Sequence, residues 1–286
     1  WETTFTNATY FALSADGTTT AAAVQVEACD SAEVHKFQEG TFSAALGGQA
    51  WDDRFVNVWQ PVLSADGRQL AAEVRLNLYE YSIAVDGSAW PKAFGGVWAP
   101  SFHPTTRAVV APVRIKGKWG MAQDGDLIWQ PGFIQVWRQV FSPDGAKLAA
   151  VVAPRYGRWT LAVDGQAWST VFKDMVTDPV WSSDGSQLAA LGKNGADWHI
   201  IVNDKVWSNR FSMAWAPVFS PAGDVAAAKV EIDGKYTIVV NDHLWSHRCE
   251  AAWEPVFNSA GDRLIVKTIE DGTYYRRVLP VADFLA

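Results

Sequence analysis

Two carboxylates at one repeated position of the sequence, Asp178 and Glu254, have the chemistry that general acid–base catalysis needs. Hydrolases and lyases use such a pair, in which one group gives a proton and the other takes one. The other repeats carry at this position Tyr10, Gln60, Ala99, Arg138 and Ala216. The alternative is a hydrated ring in which Arg138 balances the two carboxylates. Because no further carboxylates or aromatic platform accompany the pair, the sequence favours a protein that is not an enzyme.

The cysteines and histidines predict no metal or redox cofactor. Cys29 and Cys249 are the only two cysteines, too few for an iron–sulfur cluster or a four-thiolate zinc site. The five histidines fall in different repeats without the spacing of metal ligands, and no C-x-x-C-H haem-attachment string is present. Whether the two cysteines form a disulfide or stay reduced is open at this stage.

The overall composition argues against a general nucleic-acid binder and against a protein with a membrane-spanning helix. The chain has 286 residues and a net charge of −7, so it lacks the basic footprint of a general nucleic-acid binder. It also contains no apolar run approaching 18 residues, so we expect no membrane-spanning helix.

One sequence string recurs along the chain with a period near 40 residues. Its clearest copy is FSPDGAKLAAVVAPRYGRWTLAVDGQAW at 141–168. All 16 tryptophans lie in register with the repeat. The column after the Asp-Gly turn consists of Trp1, Trp51, Trp90, Trp129, Trp168, Trp207 and Trp245. We expect these seven residues to be structural, because large aromatic side chains fill the wedges between packed sheets.

Each repeat has the pattern of four short strands. In the clearest copy they are expected near 136–141, 147–153, 158–163 and from Trp168 onward. The Ser-Pro-Asp-Gly sequence suits a type I turn, and Asp164-Gly165 suits a two-residue hairpin. Four-stranded units at this period are typical of β-propeller blades. The sequence therefore predicts an all-β chain that forms a single seven-bladed propeller over residues 1–286.

Proline and the chain ends predict the order and closure of the blades. Proline, which cannot donate to a strand ladder, marks the first strand as an edge at Pro61, Pro100, Pro179, Pro217 and Pro255. This edge would line a central channel, ringed by Tyr10, Gln60, Arg138, Asp178 and Glu254. The last repeat, 252–278, lacks a fourth strand. Residues 1–7 are expected to supply it and thereby close the ring.

Charged residues concentrate where the second strand of a repeat turns into the third. We call this set the hairpin surface. Its positive members are Arg75, Arg114, Lys116, Lys118, Arg155 and Arg158. Its negative members are Glu27, Asp30, Glu33, Glu231, Asp233, Glu270 and Asp271, the first three lying in an insertion at 27–40. In a propeller these turns share one face, so the pattern predicts a docking surface with oppositely charged arcs. The alternatives are coincidence among surface charges and an insertion that packs on its own blade.

The repeated strings also carry a family resemblance. The FSPDG-x-x-LA turn resembles that of WD-type and TolB-type propellers. The strings KFQEG, AVDGSAW, APVRIKGKW and APRYGRWTLAVDG resemble the tryptophan-rich subunit of the Tmc transmembrane electron-transfer complex of sulfate-reducing bacteria. The resemblance implies a cytoplasmic accessory subunit, associated with a membrane through partner subunits that carry haem and iron–sulfur clusters. It implies no catalytic residues.

Three hypotheses therefore follow. The first is a non-catalytic scaffold for protein–protein interaction in an electron-transfer complex. The second is a hydrolase or lyase that uses the carboxylates of the channel. The third is a free-standing propeller that binds peptides or a cofactor.

Overall fold

The computed structural model describes residues 1–30 and 32–285, and almost all of its regular structure is β. The chain divides into two compact units, Trp1–Gln139 and Val140–Ala286. In each unit the strands pair antiparallel into small sheets, and in the first five sheets they follow chain order from one edge of the sheet to the other. This is the strand arrangement of propeller blades.

The N-terminal unit contains three complete sheets. The first consists of β1 (Asn7–Leu13), β2 (Thr20–Gln25), β3 (Phe42–Leu46) and β4 (Gln49–Ala50). The second consists of β5 (Asn57–Leu63), β6 (Leu70–Arg75), β7 (Tyr81–Val85) and β8 (Ser88–Ala89). The third consists of β9 (Ser101–Phe102), β10 (Val109–Ile115), β11 (Lys118–Gln123) and β12 (Asp126–Phe133).

The next two sheets repeat the four-strand pattern. The fourth consists of β13 (Gln135–Phe141), β14 (Leu148–Arg155), β15 (Arg158–Val163) and β16 (Gln166–Ala167), and the boundary between the units falls within β13. The fifth consists of β17 (Met175–Trp181), β18 (Leu188–Asn194), β19 (Asp197–Val202) and β20 (Lys205–Val206).

In the last two sheets the first strand is broken into two pieces. The sixth sheet consists of β21 (Met213–Ala214), β22 (Val218–Phe219), β23 (Ala226–Ile232), β24 (Lys235–Val240) and β25 (His243–Leu244). The seventh consists of β26 (Ala251–Ala252), β27 (Val256–Phe257), β28 (Arg263–Glu270) and β29 (Thr273–Pro280). Because β26 and β27 both pair with β28, the seventh sheet has three strand positions.

Two short helices interrupt the strands. The 27–40 insertion contains α1 (Val34–Glu39), and α2 (Ala282–Leu285) follows β29. The sequence analysis did not predict α1, because six residues are too short to show a helical period. None of the helices in the described ranges is long and apolar enough to span a membrane.

The predicted turns are confirmed in atomic detail. Asp164 and Gly165 have φ values of 48° and 81°, and Val163 pairs with Gln166 across a two-residue hairpin. At the other turn, the Gly145 amide donates to the Ser142 carbonyl at 2.8 Å. The Ser142 hydroxyl donates to Asp144, which also accepts from the Ala146 amide. The turn therefore satisfies its own polar groups.

Small residues on the central strands form the core between neighbouring sheets. In the N-terminal unit, Ala21 and Ala23 of the first sheet pack with Leu70 and Ala72 of the second. In the C-terminal unit, Leu191 of the fifth sheet packs with Val230 of the sixth. Alanine on strands that are buried on both faces lets two sheets approach closely, while the aromatic side chains fill the wider parts of the wedge.

Among the described fourth strands, β12 has eight residues, but β4, β8, β16, β20 and β25 have only two residues each. The fourth strand of the clearest repeat was expected to start at Trp168, but β16 ends at Ala167, before the tryptophan. Trp168 continues the pairing only through its amide, which donates to the Leu161 carbonyl. After a short break, Phe172 resumes the pairing, because Phe172 and Trp159 exchange backbone hydrogen bonds of 2.8 Å.

Ring closure by the N-terminus stays a prediction. In the described part of the chain, β29 pairs with β28, and residues 1–6 form no strand. The Thr6 amide donates instead to the Gln25 carbonyl at 3.2 Å, which extends the pairing of β1 with β2.

Candidate functional site

The predicted channel residues lie at a backbone irregularity in the first strands. Tyr10, Gln60, Arg138 and Asp178 all have positive φ, at 53°, 47°, 51° and 52°. The register of pairing shifts at the same place in the first, second and fifth sheets, as in a β-bulge. A bulge redirects a side chain at a sheet edge, and non-glycine residues adopt this conformation only where the surroundings impose it.

The two candidate acid–base residues lie in different local structures. Asp178 is half-buried at the bulge of β17, whereas Glu254 is exposed in the break between β26 and β27. Ala99 and Ala216 lie in the corresponding breaks of the third and sixth repeats. The proposed acid–base partnership of Asp178 and Glu254 remains a sequence-based hypothesis.

The basic residues of the hairpin surface fall into two groups. Arg75 and Arg114 are committed to their own repeats. Arg75 donates to the carbonyls of Asn77 and Leu78, and Arg114 donates to the carbonyl of Gly95. Both guanidinium groups also lie over aromatic rings, those of Tyr81 and Trp119, at 5.8 Å. These two cations are therefore partly used by the fold.

The other four basic residues are exposed at hairpin tips. Lys116 and Lys118 flank Gly117 in the β10–β11 turn, and Lys118 is the first residue of β11. Arg155 and Arg158 are direct cross-strand partners at the tip of the β14–β15 hairpin. Like charges in that position destabilise a hairpin. Tyr156 between them is 86% exposed. The tip thus presents two cations and an aromatic ring that do not serve the packing of the sheet.

The acidic residues of the 27–40 insertion interact mostly with neighbouring groups. Glu27 pairs with Arg54 at 2.6 Å and with Lys36 at 3.5 Å. Lys36 also pairs with Glu33 at 2.8 Å, and this contact lowers the pKa of Glu33. Asp30 accepts from the Ala32 amide at 2.7 Å. The local cations therefore offset much of the negative charge expected here.

The remaining acidic residues of the hairpin surface lie on the last two sheets. Glu231 is the penultimate residue of β23. Asp233 occupies the turn that follows, with a φ of 52°. Glu270 is bound by Arg277 at 2.6 Å and by the Thr268 hydroxyl at 2.8 Å. Asp271 occupies the β28–β29 turn and is exposed. Asp233 and Asp271 are thus the acidic groups most available to a partner.

The structure contains a cavity that the sequence analysis missed. It has a volume of about 510 Å³, within the range of small-molecule sites, and lies in the N-terminal unit. Its aromatic lining consists of Tyr10, Trp59, Tyr81, Trp98 and Trp119. Its polar lining consists of Gln60, Glu73, Arg114 and Gln135. Two of the predicted channel residues, Tyr10 and Gln60, are thereby brought together at this cavity.

The aromatic residues of this cavity form two stacked pairs. Trp98 and Trp119 are nearly parallel, with ring centroids 5.2 Å apart and an interplanar angle of 4°. Trp59 and Tyr81 stack at 6.4 Å with an angle of 29°. Trp98 is 42% exposed, although tryptophan is mostly buried in proteins. The cavity therefore has an open aromatic wall.

Glu73 is the unusual polar residue of the cavity. It lies on β6 directly opposite Trp59 and is only 8% exposed. Burial raises the pKa of its carboxyl group from 4.5 to about 7. The Gln135 Oε1 atom is likewise buried and unpaired within the described ranges. A lone glutamate in the apolar run LAAEVR was a signal for this site, since the matching positions carry Ala23, Pro112, Val151, Leu191, Lys229 and Lys267.

The tryptophan column after the Asp-Gly turn is unequally buried. Trp90, Trp129 and Trp245 are 7%, 4% and 7% exposed. Trp51, Trp168 and Trp207 are half-buried, and Trp1 is 48% exposed. The structural role predicted for all seven is therefore best supported at the three buried positions.

The cysteines are unpaired, and the described residues contain no cluster that could bind a metal ion. Both Cys29 and Cys249 are free thiols, and burial, followed by the charge of Glu270, raises the pKa of Cys249 to about 11. Among residues 1–30 and 32–285, no group of three or more histidine, cysteine or acidic side chains is arranged to hold a metal ion.

The succession of small antiparallel sheets defines a protein built of β-propeller repeats. No protein-family model and no curated protein sequence matches the chain. A solved structure of a eukaryotic initiation factor superposes with a TM-score of 0.54 and 12% identity, over 95% of this chain and 78% of that one. At this identity the similarity bears on the fold alone.

Two other solved structures are more distant. The β-propeller domain of Cps50 (Swd1) from Myceliophteria thermophila gives a TM-score of 0.41 at 13% identity, over 94% of this chain and 97% of that one. TolB from Acinetobacter baumannii gives 0.39 at 15% identity, over 71% of this chain and 58% of that one.

Proposed function

We propose that this chain is a non-catalytic scaffold for protein–protein interaction and that it docks through the hairpin surface. In this proposal it is a cytoplasmic accessory subunit of an electron-transfer complex, held at a membrane by partners that carry haem and iron–sulfur clusters. The electron-transfer part rests on the sequence resemblance to the tryptophan-rich Tmc subunit.

The observation that carries the proposal is the contrast between two sets of turns. The Ser-x-Asp turns use their polar groups internally. Hydrogen bonds from the Ser14 and Ser182 hydroxyls lower the pKa values of Asp16 and Asp184 to about 2. Groups bound in this way offer little to a partner.

The hairpin between β14 and β15 has the opposite character. Arg155, Tyr156 and Arg158 are exposed, and the two arginines face each other across the strands. A cationic tip with an exposed tyrosine suits recognition of an acidic protein surface, since arginine and tyrosine are enriched at the centres of interfaces. The tip also differs in sequence from the other hairpins, and specific docking requires such differences.

Affinity purification from native membranes tests the proposal. A tagged chain is expected to retain a defined set of proteins that includes haem- or cluster-bearing subunits, identified by mass spectrometry. The variant Arg155→Glu/Arg158→Glu is expected to lose them. The matched control is Arg68→Glu/Lys205→Glu, which reverses two exposed cations outside the hairpin surface. Equal recovery with both variants would rule out the hairpin surface, and recovery of proteins without redox groups would rule out the electron-transfer role.

A further inference from the structure

Two hydrogen-bond acceptors beside the cavity, on Glu73 and Gln135, are left unpaired by the fold. Within the described ranges, the buried Glu73 carboxylate makes no hydrogen bond or ion pair, and Gln135 Oε1 also has no partner. Burying a carboxylate without a partner is strongly unfavourable. A ligand that brings positive charge or donors to this cavity would offset that penalty.

The aromatic wall suits the same kind of ligand. The faces of tryptophan and tyrosine rings carry partial negative charge and attract cations, most strongly when water is excluded. Trp59, which faces Glu73 across the β5–β6 pair, stacks on Tyr81, and Trp98 stacks on Trp119. A bound cation would therefore contact aromatic faces and a carboxylate together.

The sixth repeat shows what this position does when the chain supplies its own cation. Lys229 occupies the position of Glu73, and its ammonium group lies 3.8 Å from the ring centroid of Trp215. The Trp215 amide donates to the Lys229 carbonyl, so tryptophan and lysine are cross-strand neighbours like Trp59 and Glu73. The second repeat keeps the tryptophan and replaces the lysine with an acid, which leaves the place of the cation to a ligand.

Arg114 does not convert the cavity into an anion site. Its guanidinium group donates to the Gly95 carbonyl and lies over the Trp119 ring at 5.8 Å. Two of its three nitrogens, Nε and Nη2, thus donate at the wall. The remaining lining offers an anion the side-chain amides of Gln60 and Gln135, beside aromatic faces and a carboxylate that repel it.

We propose that the cavity beside Glu73, lined by Tyr10, Trp59, Tyr81, Trp98 and Trp119, binds a small organic cation of the alkylammonium class. The carboxylate neutralises the ligand's charge and the tryptophans enclose its alkyl groups. This site shares Arg114 with the hairpin surface, but it does not require the docking proposal.

Titration calorimetry with choline chloride tests the proposal. The comparison ligand is 3,3-dimethylbutan-1-ol, which has the shape of choline without the charge. Choline is expected to bind at least about tenfold more tightly, because the cation–π and carboxylate terms require the charge. Equal affinity for the two compounds, absence of saturable choline binding, or preference for the neutral sugar methyl glucoside would overturn it.

Three variants locate the binding. Glu73→Gln keeps the shape of the side chain and removes its charge. Trp98→Ala removes the exposed indole ring that lines the cavity. Each is expected to weaken choline binding about tenfold or more. Glu73→Lys is expected to abolish choline binding, because its ammonium group would occupy the cation position, as Lys229 does in the sixth repeat. The matched control is Trp253→Ala, which removes the similarly exposed tryptophan of the seventh repeat, at 44%, and should leave binding unchanged. Unchanged affinity in folded Glu73→Gln and Trp98→Ala would refute the assignment.

Discussion

At the scale of single residues, Glu73 shows how a fold holds an acid in an unfavourable place. It lies on a central strand between Trp59 of β5 and Ile83 of β7. Leu70, Ala71, Ala72 and Val74 of the same strand are fully buried apolar residues. A hydrophobic side chain at position 73 would pack there without a desolvation penalty, so the glutamate weakens the fold at neutral pH.

The stability of the protein should therefore depend on the ionisation of Glu73. Because its pKa is raised from 4.5 to about 7, the folded state keeps a proton that the unfolded chain loses. The free energy of unfolding should fall as the pH rises from about 4.5 to about 7, by about 3 kcal/mol at 1.36 kcal/mol per pKa unit. Glu73→Gln should remove this decline and be the more stable protein at about pH 8.

Urea unfolding of wild type and Glu73→Gln across this pH range measures the difference. Glu39→Gln, a change at an exposed glutamate of α1, is the control and should keep the wild-type decline. Parallel pH profiles for wild type and Glu73→Gln would show that burial does not perturb this carboxyl group.

At the scale of elements, the hairpins and turns follow from residue chemistry that is visible in the sequence. Asp164-Gly165 and the Ser-Pro-Asp-Gly turn form as their residue types predict. The bulge at Gln60 and Asp178 was not predictable, because a proline column marks an edge strand without indicating the backbone conformation before it. The cavity also could not be predicted, since it depends on how neighbouring sheets bring Trp59, Glu73 and Trp98 together.

The unequal burial of the tryptophan column leads to a prediction about packing. Trp90 is 7% exposed and packs with Phe94 and Val97, so Trp90→Ala should lower the free energy of unfolding by about 3–5 kcal/mol. Trp1→Ala should have a much smaller effect, because Trp1 is 48% exposed and makes one hydrogen bond, to Thr20. Denaturant unfolding of the two variants makes the comparison. Equal losses would mean that burial does not determine the role of these tryptophans.

At the scale of the whole molecule, the last sheet of the series ends in a strand with exposed apolar side chains. The outer strand β29 has exposed Tyr274, Tyr275 and Val278, at 54%, 39% and 50%. An apolar edge strand of this kind promotes association with other chains unless it is covered. The sequence pattern assigns residues 1–7 to cover it.

Deletion of Trp1–Asn7 tests that assignment. The truncated chain is expected to form dimers or larger species, because β29 would then be available for pairing. Light scattering coupled to size-exclusion chromatography reports the mass in solution. A truncated protein that stays monomeric and as stable as the full chain would show that these residues do not close the structure.

The central claim is that the hairpin surface docks a partner, and the association rate of the purified partner tests it most directly. Arg155→Glu/Arg158→Glu should slow association at low salt, while Arg68→Glu/Lys205→Glu should leave the rate close to that of wild type. The difference should shrink near 1 M salt, where the Debye length falls to about 3 Å. Thermal unfolding should stay within about 0.5 kcal/mol of wild type for both variants. Association rates at low salt that are equal for wild type and Arg155→Glu/Arg158→Glu would contradict the account.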